Sequence, residues 1–186
     1  MKMKVAVLQT KVFADKNENL EQVKALMARE DVAACDLVTL PEMWNCPYQT
    51  ENFPIYAERE DSEFVRALAE LAKKHHVYFQ AGSIPEVDEA GHVYNTAYTF
   101  DREGKCINKY RKVHLFDIFV KGGQVFKESD TLTAGDGFRV FDTEFGKMGV
   151  NICFDIRFPE SARIPTLHGA RILMNPGAFN MTTGPA

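Results

Sequence analysis

The sequence has no hydrophobic run long enough to cross a bilayer, and it carries little basic charge. Near its start, the apolar run from Val5 to Leu8 ends at Gln9, which is too short for the hydrophobic region of a signal peptide. The 22 Lys and Arg residues are outnumbered by 26 Asp and Glu residues, and the formal net charge is -4. Nonspecific binding to nucleic acid therefore has no electrostatic support. We expect a cytoplasmic protein that binds neither membranes nor nucleic acids.

Cysteine is also sparse, and its spacing excludes two familiar uses. The four cysteines are scattered and form no CxxC pair; they are Cys35, Cys46, Cys106 and Cys153. The spacing of zinc sites is therefore absent, and a reducing compartment does not favour a disulfide framework. Each thiol must be explained singly, and buried packing is the default explanation for each.

What is present predicts a mixed α/β fold. A chain of 186 residues can bury a sizeable core, so we expect a single domain over residues 1–186. Apolar and β-branched runs predict strands at residues 4–10, 36–40, 77–82, 92–100, 105–110, 138–142, 147–153 and 171–175. Helical spacing predicts helices at residues 17–30 and 61–75, and a third helix begins at Pro159. Strands alternate with helices early and pair as hairpins later, which predicts mixed sheets covered by helices.

Three local features sharpen this prediction. The first helix can be capped by Asp15, Asn17 or Asn19. Residues 113–137 are rich in loop-forming residues and long enough to predict a functional loop. Pro165 lies inside the third helix, and because proline removes a helical hydrogen bond we expect a kink or an early end there.

The stretch GVNICFDIRFPE places Cys153 where a predicted strand ends and a helix follows. A strand-to-helix turn exposes a nucleophile and offers the next backbone N–H, that of Phe154, to a developing oxyanion. A helix N-terminus and a cationic neighbour both lower the pKa of a thiol, so we expect that pKa to be depressed here. The alternative is that Cys153 is a buried packing residue.

Two further strand ends carry charged residues. In LPEMW, Pro41 stops the strand and Glu42 follows beside apolar residues, where a carboxylate can act as a base; the alternative is an exposed loop glutamate. In KYRKVHLFD, Lys112 follows a hairpin strand and can hold a positive charge over an oxyanion. The alternative for Lys112 is a lysine on the surface.

These three segments, in this order, resemble the signature segments of the nitrilase superfamily of carbon–nitrogen hydrolases, which uses a Glu-Lys-Cys triad. The resemblance implies that Glu42 is the general base, Lys112 the oxyanion stabiliser and Cys153 the nucleophile. Glu128 matches a second glutamate that orients the lysine or assists proton transfer in many members; the alternative is an exposed loop acid. The implied fold is the four-layer α-β-β-α sandwich of the superfamily.

The segments HLFDI, FKESDTLTAGD and NPGAFNMTTGPA further resemble the ω-amidase branch. That branch removes the terminal amide of 2-oxoglutaramate and 2-oxosuccinamate through a cysteine thioester, and it needs no metal or organic cofactor. A dicarboxylic product implies a clamp for the far carboxylate, for which Tyr48, Thr182 and Thr183 are candidates. Arg157 is another candidate, although an ion pair with Asp155 or Glu160 suits its position better.

Several alternatives stay open. N-carbamoyl-amine hydrolases and deaminated-glutathione amidases share the triad, and His114 and His168 raise a rival Cys-His arrangement, although His168 resembles a helix cap. The superfamily continues beyond the point where this sequence stops, so we expect the C-terminal part of the fold to be incomplete and an inactive fragment to be possible. The resemblance also implies a homodimer or a larger homo-oligomer.

Overall fold

The structure is a computed structural model that describes residues 2–121 and 125–179. The larger of its two main sheets forms the centre of the molecule. Its six strands are β1 (Val5–Val7), β2 (Leu37–Thr39), β3 (Tyr78–Gln80), β4 (Ile84–Val87), β5 (Val93–Phe100) and β6 (Cys106–Arg111). The first three run parallel, whereas β5 pairs antiparallel with β3, β4 and β6. All eight residues of β5 are buried, as expected for a strand with neighbours on both edges.

A smaller sheet and a short hairpin complete the strands. The smaller sheet has the order β11-β10-β9, formed by β9 (Val140–Thr143), β10 (Gly146–Val150) and β11 (Ile172–Met174). Strands β9 and β10 are an antiparallel hairpin, and β11 returns parallel to β10. Strands β7 (Asp117–Phe119) and β8 (Val125–Lys127) pair with each other.

Helices α1 (Lys16–Met27), α2 (Glu30–Ala33) and α4 (Glu63–His75) cover the outer face of the larger sheet, and α5 (Pro159–Leu167) covers that of the smaller sheet. The short helix α3 (Phe53–Tyr56) packs in a separate apolar cluster through Phe53. Buried residues of α1 and α4, among them Met27 and Leu68, pack with Phe79 of the larger sheet. Helix α5 lies on the smaller sheet, where Pro165 Cβ would be 3.2 Å from a Cβ added at Gly149. The order helix, sheet, sheet, helix confirms the four-layer α-β-β-α fold.

A second core lies between the two sheets. It joins residues of the larger sheet to residues of the smaller one; they are Leu37, Ala97, Tyr110, Phe141, Met148, Val150, Ile152, Cys153 and Met174. Sheet-on-sheet packing of this kind excludes water from the space between the layers. Cys153 is part of this core, so the turn at Cys153 rests on packed apolar side chains.

The predicted elements agree with the structure in position more than in extent. The Asp15 carboxylate caps α1 by accepting from Asn17 N at 2.8 Å, as one of the three predicted caps. Helix α5 continues past Pro165 to Leu167, so the early end is wrong, whereas the alternative of a kink stays a prediction. The missing N–H of Pro165 affects one hydrogen bond near the last turn, and the buried ring packs against β10 instead. The predicted loop at 113–137 contains β7 and β8, and β4 was not predicted.

Candidate active site

Three strand ends bring Glu42, Lys112 and Cys153 together between the two sheets. Glu42 follows β2, Lys112 directly follows β6, and Cys153 follows β10. Lys112 Nζ lies 2.9 Å from Glu42 Oε1, and the Cys153 thiol is hydrogen-bonded to the same carboxylate. Their exposed fractions are 2% for Glu42, 0% for Lys112 and 7% for Cys153. The alternatives of a loop glutamate and a surface lysine are therefore wrong.

The backbone at two of these strand ends is held in the left-handed region. The φ angle is 45° at Cys153 and 48° at Met43, which directly follows Glu42. Such angles cost energy in residues other than glycine, and the surrounding structure must maintain them. At Cys153 the N–H donates to Pro176 O at 2.8 Å, and a five-residue 3₁₀ helix, Cys153–Arg157, follows before α5 begins. The turn therefore presents the thiol at the sheet end.

Four donors surround the Glu42 carboxylate. Its Oε1 accepts from Lys112 Nζ and Asn95 Nδ2, both at 2.9 Å, and from the Tyr48 hydroxyl at 3.1 Å. Its Oε2 accepts from Ala178 N at 3.0 Å, and the same N–H is also in hydrogen-bond contact with the Cys153 thiol. A carboxylate held so firmly and in contact with a thiol is positioned to accept the thiol proton.

Glu128 is a second carboxylate in contact with the Lys112 ammonium. It is fully buried, and its Oε1 and Oε2 lie 3.1 Å and 2.9 Å from Lys112 Nζ. Its Oε2 also accepts from Phe116 N at 2.7 Å. Glu128 is therefore part of the site, and the alternative of an exposed loop acid is wrong.

Burial and the two carboxylates set the electrostatics of the site. Burial favours a neutral Lys112, but Glu42 and Glu128 outweigh it and raise the pKa of the lysine, which therefore stays an ammonium at neutral pH. Burial, together with the charge of Glu42, raises the pKa of Glu128 despite the contact with Lys112.

The pKa of the Cys153 thiol differs from the value that the sequence led us to expect. Burial and the Glu42 carboxylate raise its pKa, and the opposing effect of Lys112 is smaller. The expected depression of this pKa is therefore wrong, because the thiol is enclosed in the core and bound to an anion. The resting group is a thiol, which needs a base to become a nucleophile.

The candidate substrate-binding residues fall in different places. The Tyr48 hydroxyl contacts both Glu42 and Glu128, and its ring packs against Phe53 and Phe126 at centroid distances of 5.4 Å and 5.6 Å. Burial raises the pKa of Tyr48, as do the two carboxylates, so it remains a hydroxyl. Its binding of a substrate carboxylate stays a prediction. Thr182 and Thr183 lie outside the described residues.

Phe154, the predicted backbone donor, directly follows Cys153 at the start of the 3₁₀ helix. Its ring packs edge-on against Phe116 and Phe158, at centroid distances of 5.1 Å and 5.4 Å. These contacts fix the position of residue 154 relative to the thiol. The role of its N–H toward an oxyanion stays a prediction.

Some residues of the site were not predicted from the sequence. Asn95 lies in the middle of β5, and the N–H groups of Phe116 and Ala178 belong to the backbone. An asparagine inside an apolar strand of alternating residues is a signal for a buried polar contact. The backbone donors depend on how the chain folds and have no signature in residue type.

The histidines do not form a Cys-His arrangement. His114 Nδ1 lies 2.8 Å from Asp155 Oδ1, and its ring stacks on Phe158 at a centroid distance of 3.6 Å. The charged groups acting on the thiol are instead Glu42 and Lys112. His168 ends α5 as its C-cap, with its N–H bonded to Ile164 O. These contacts favour the Glu-Lys-Cys arrangement.

Neither a metal-binding cluster nor a membrane-spanning helix is present among residues 2–121 and 125–179. No cluster of three or more His, Cys, Asp or Glu side chains in this part of the chain is placed to hold a metal ion. None of the helices described in it combines the length and the apolar character that a membrane span needs.

Comparison with known proteins identifies the class. The sequence model of the carbon-nitrogen hydrolase family matches residues 4–186. The chain therefore belongs to the carbon-nitrogen hydrolase family. Among solved structures, Saccharomyces cerevisiae Nit3, a member of branch 10 of the nitrilase superfamily, superposes with a TM-score of 0.85 at 38% identity, covering 98% of this chain and 67% of that one. The C. elegans NitFhit protein gives 0.86 at 30% identity, covering 99% and 46%.

The chain is also similar in sequence to two named relatives. The chain is 45% identical over 183 residues to Omega-amidase NIT2 of Mus musculus, covering 98% of this chain and 66% of that protein. It is 46% identical over 184 residues to Nitrilase homolog 2 of Dictyostelium discoideum, covering 98% of this chain and 56% of that protein. The chain thus spans between half and two thirds of the length of these relatives.

Proposed function

We propose that the protein is an ω-amidase, which hydrolyses the terminal amide of a small 2-oxo dicarboxylic acid monoamide to the acid and ammonia. The observation that carries the proposal is the buried contact of Cys153 with Glu42, with Lys112 2.9 Å from the same carboxylate. The 45% identity to an omega-amidase over 98% of the chain supports the choice of substrate class.

The first half of the reaction forms a thioester. Glu42 takes the thiol proton as the Cys153 sulfur attacks the amide carbon, and the carbonyl oxygen becomes an oxyanion held by Lys112 and the Phe154 N–H. The C–N bond then breaks, and the leaving nitrogen takes the proton back from Glu42 to depart as ammonia. The high pKa of Lys112 keeps its charge available throughout this step.

The second half releases the acid. Glu42 takes a proton from water as the water oxygen attacks the thioester carbon, and Lys112 again holds the oxyanion. The C–S bond breaks, and the sulfur recovers its proton from Glu42. Glu128 supports both halves by fixing the ammonium through both of its carboxylate oxygens, at 3.1 Å and 2.9 Å. The residues of the site are sufficient for each proton transfer.

Release of ammonia from 2-oxoglutaramate tests this proposal, with an N-carbamoyl amine and a deaminated glutathione as competing substrates. We expect turnover of 2-oxoglutaramate, and its loss by a factor of about 10³ or more in Cys153→Ala, since the nucleophile is removed. Turnover of only a competing substrate contradicts the ω-amidase assignment within the family. No turnover of any of the three contradicts an active amidase, and activity that survives in Cys153→Ala contradicts the nucleophile.

We further propose a single-domain cytoplasmic enzyme that forms a homodimer or a larger homo-oligomer. All four cysteines are free thiols, which supports a reducing compartment. Exposed apolar side chains support self-association; Ile156 is 56% and Leu167 77% exposed, and both lie on the segment that leads into and through α5. Light scattering of the purified protein tests the oligomeric state, and a monomer contradicts it.

A further inference from the structure

The Asp155 carboxylate is a buried acid outside the Glu-Lys-Cys set that makes four hydrogen-bond contacts. Its exposed fraction is 0%, and it lies two residues after Cys153 in the 3₁₀ helix. Its Oδ2 accepts from the Tyr110 hydroxyl at 2.6 Å and from Ile152 N at 2.9 Å. Its Oδ1 accepts from His114 N at 2.9 Å and contacts His114 Nδ1 at 2.8 Å. A buried carboxylate with four donors is fixed in one orientation.

The partners of Asp155 come from the two segments that carry Lys112 and Cys153. Tyr110 and His114 lie two residues before and two residues after Lys112, while Ile152 directly precedes Cys153. A single side chain therefore connects the lysine segment to the nucleophile turn. Because an ionised carboxylate only accepts hydrogen bonds, His114 Nδ1 carries the proton in this contact.

The nucleophile turn needs such a support. Cys153 has a φ angle of 45°, which is unfavourable for a residue with a side chain. The bond from Ile152 N to Asp155 holds the residue immediately before this turn, and the bond from Cys153 N to Pro176 O holds the turn itself. If the first bond is lost, the backbone is free to relax and the sulfur moves relative to Lys112.

We propose that Asp155 is a positioning residue, which sets the distance between the Cys153 sulfur and the Lys112 ammonium by bonding both segments at once. This inference rests on the proposed function for its kinetic test, although its effect on the thiol can be measured without a substrate. It acts through the backbone of the turn and the strand end, so Asp155 itself does not touch the substrate.

Tyr110→Phe is the sharpest test, because it removes one hydroxyl and leaves the packed ring. Its control is Tyr98→Phe: Tyr98 is 1% exposed, and its hydroxyl has no hydrogen-bond partner among residues 2–121 and 125–179. Both variants delete a buried tyrosine hydroxyl, but only Tyr110→Phe removes a bond to Asp155. Asp155→Asn is the more disruptive variant. The NH2 group of the asparagine is a hydrogen-bond donor, and it would face groups that donate to the carboxylate in the wild type.

In steady-state kinetics we expect kcat to fall by about 3- to 10-fold in Tyr110→Phe and up to about 100-fold in Asp155→Asn, because small displacements of reacting groups have effects of this size. We expect KM to stay within about twofold, since substrate contacts are unchanged. Tyr98→Phe should keep both constants. A fall of kcat in Tyr98→Phe equal to that in Tyr110→Phe overturns the proposal, as does a rise of KM with kcat unchanged.

Alkylation of Cys153 by iodoacetamide gives a second readout that does not depend on amidase activity. The rate at the Cys153 peptide is followed by mass spectrometry, and the exposed Cys106 in the same sample is the internal reference. We expect alkylation of Cys153 to slow at least threefold in Tyr110→Phe and to be unchanged in Tyr98→Phe. If Asp155→Asn does not fold, Tyr110→Phe decides alone. An unchanged Cys153 rate in Tyr110→Phe overturns the positioning role, whereas a missing wild-type turnover overturns only the proposed function.

Discussion

The buried charges of the site are matched by donors, residue by residue. Glu42, Lys112 and Glu128 are all buried, and two carboxylates face one ammonium. The excess negative charge is compensated by Asn95, the Tyr48 hydroxyl and the backbone N–H groups of the site. Buried ion pairs rarely stabilise a fold more than apolar residues of the same size. We therefore attribute this cluster to the proposed proton transfer and charge stabilisation rather than to folding.

Glu86, in contrast, is a buried carboxylate whose contacts stabilise the fold. It is 1% exposed and accepts from Arg111 Nη2 at 2.8 Å and from Thr96 Oγ1 at 2.6 Å, with Lys109 Nζ also 2.6 Å away. Burial alone raises the pKa of Glu86, but these donors outweigh it and the pKa lies below the usual 4.5. Because Arg111 directly precedes Lys112, Glu86 anchors the strand that carries the lysine.

This lowered pKa predicts the pH dependence of stability. The unfolded chain binds a proton on Glu86 at a higher pH than the folded chain does, so the stabilisation is present above pH 4.5 and is lost as the pH falls through the folded pKa. We expect Glu86→Gln to lower the free energy of unfolding by about 2 kcal/mol at pH 6, and by less than half of that near pH 3. Urea denaturation at both pH values measures the two differences.

Glu89→Gln is the matched control, because Glu89 is exposed in the turn after β4. Its effect should stay within about 0.5 kcal/mol at both pH values. If Glu86→Gln lowers the free energy of unfolding by the same amount at pH 6 and at pH 3, the ion pairs of Glu86 do not anchor β6.

At the scale of elements, β6 and the residues after it are fixed by close backbone packing. Lys112 N donates to Asn95 O on β5, and Gly135 N donates to Lys112 O, both at 2.8 Å. A Cβ added at Gly135 would lie 2.1 Å from Arg111 O, so no side chain fits there. Gly135 is therefore required by the approach of two backbones rather than by its own conformation.

We expect Gly135→Ala to displace Arg111 and Lys112, to destabilise the protein by about 1–3 kcal/mol and to lower kcat. Gly91→Ala is the control: its φ angle of 85° is unfavourable for alanine, but a Cβ there meets nothing within 4 Å. It should cost about 1 kcal/mol without changing kcat. Thermal unfolding and amidase assays of both variants measure these effects, and a normal kcat in Gly135→Ala shows that the displacement does not reach Lys112.

Individual elements differ in how far the sequence predicted them. Helix α4 was predicted at residues 61–75 and spans Glu63–His75, because its apolar residues repeat at helical spacing and Ser62 caps it. Strand β4 was missed because its sequence, IPEV, contains a proline and a glutamate that is buried only through its ion pairs. Strands β7 and β8 were missed because each has three residues and little apolar alternation.

At the scale of the molecule, the two cores have different consequences for the site. Met27 lies between α1 and the larger sheet, whereas Met148 lies between the two sheets in the same cluster as Cys153. Both are buried, at 0% and 1% exposure. We expect Met27→Ala and Met148→Ala each to lower the free energy of unfolding by about 2–5 kcal/mol, since both leave a cavity.

Only Met148→Ala should also slow the alkylation of Cys153, because only that cavity opens in the cluster that contains Cys153. Iodoacetamide labelling below the unfolding transition of both variants measures this difference. Equal Cys153 rates in the two variants would show that the packing between the sheets does not position the thiol.

From the sequence, Glu42 and Lys112 could be placed just after predicted strands and Cys153 at the end of one, because proline and charge interrupt a local apolar pattern there. That these three residues form a triad, and that the fold has four layers, was implied by the resemblance to the nitrilase superfamily. The protonation and contacts of these groups depend on the tertiary structure. Burial and the neighbouring carboxylate raise the pKa of Cys153, and Asn95 and the Ala178 N–H join the site from distant parts of the chain. Local patterns report where an element ends, whereas desolvation and hydrogen bonding depend on which ends meet.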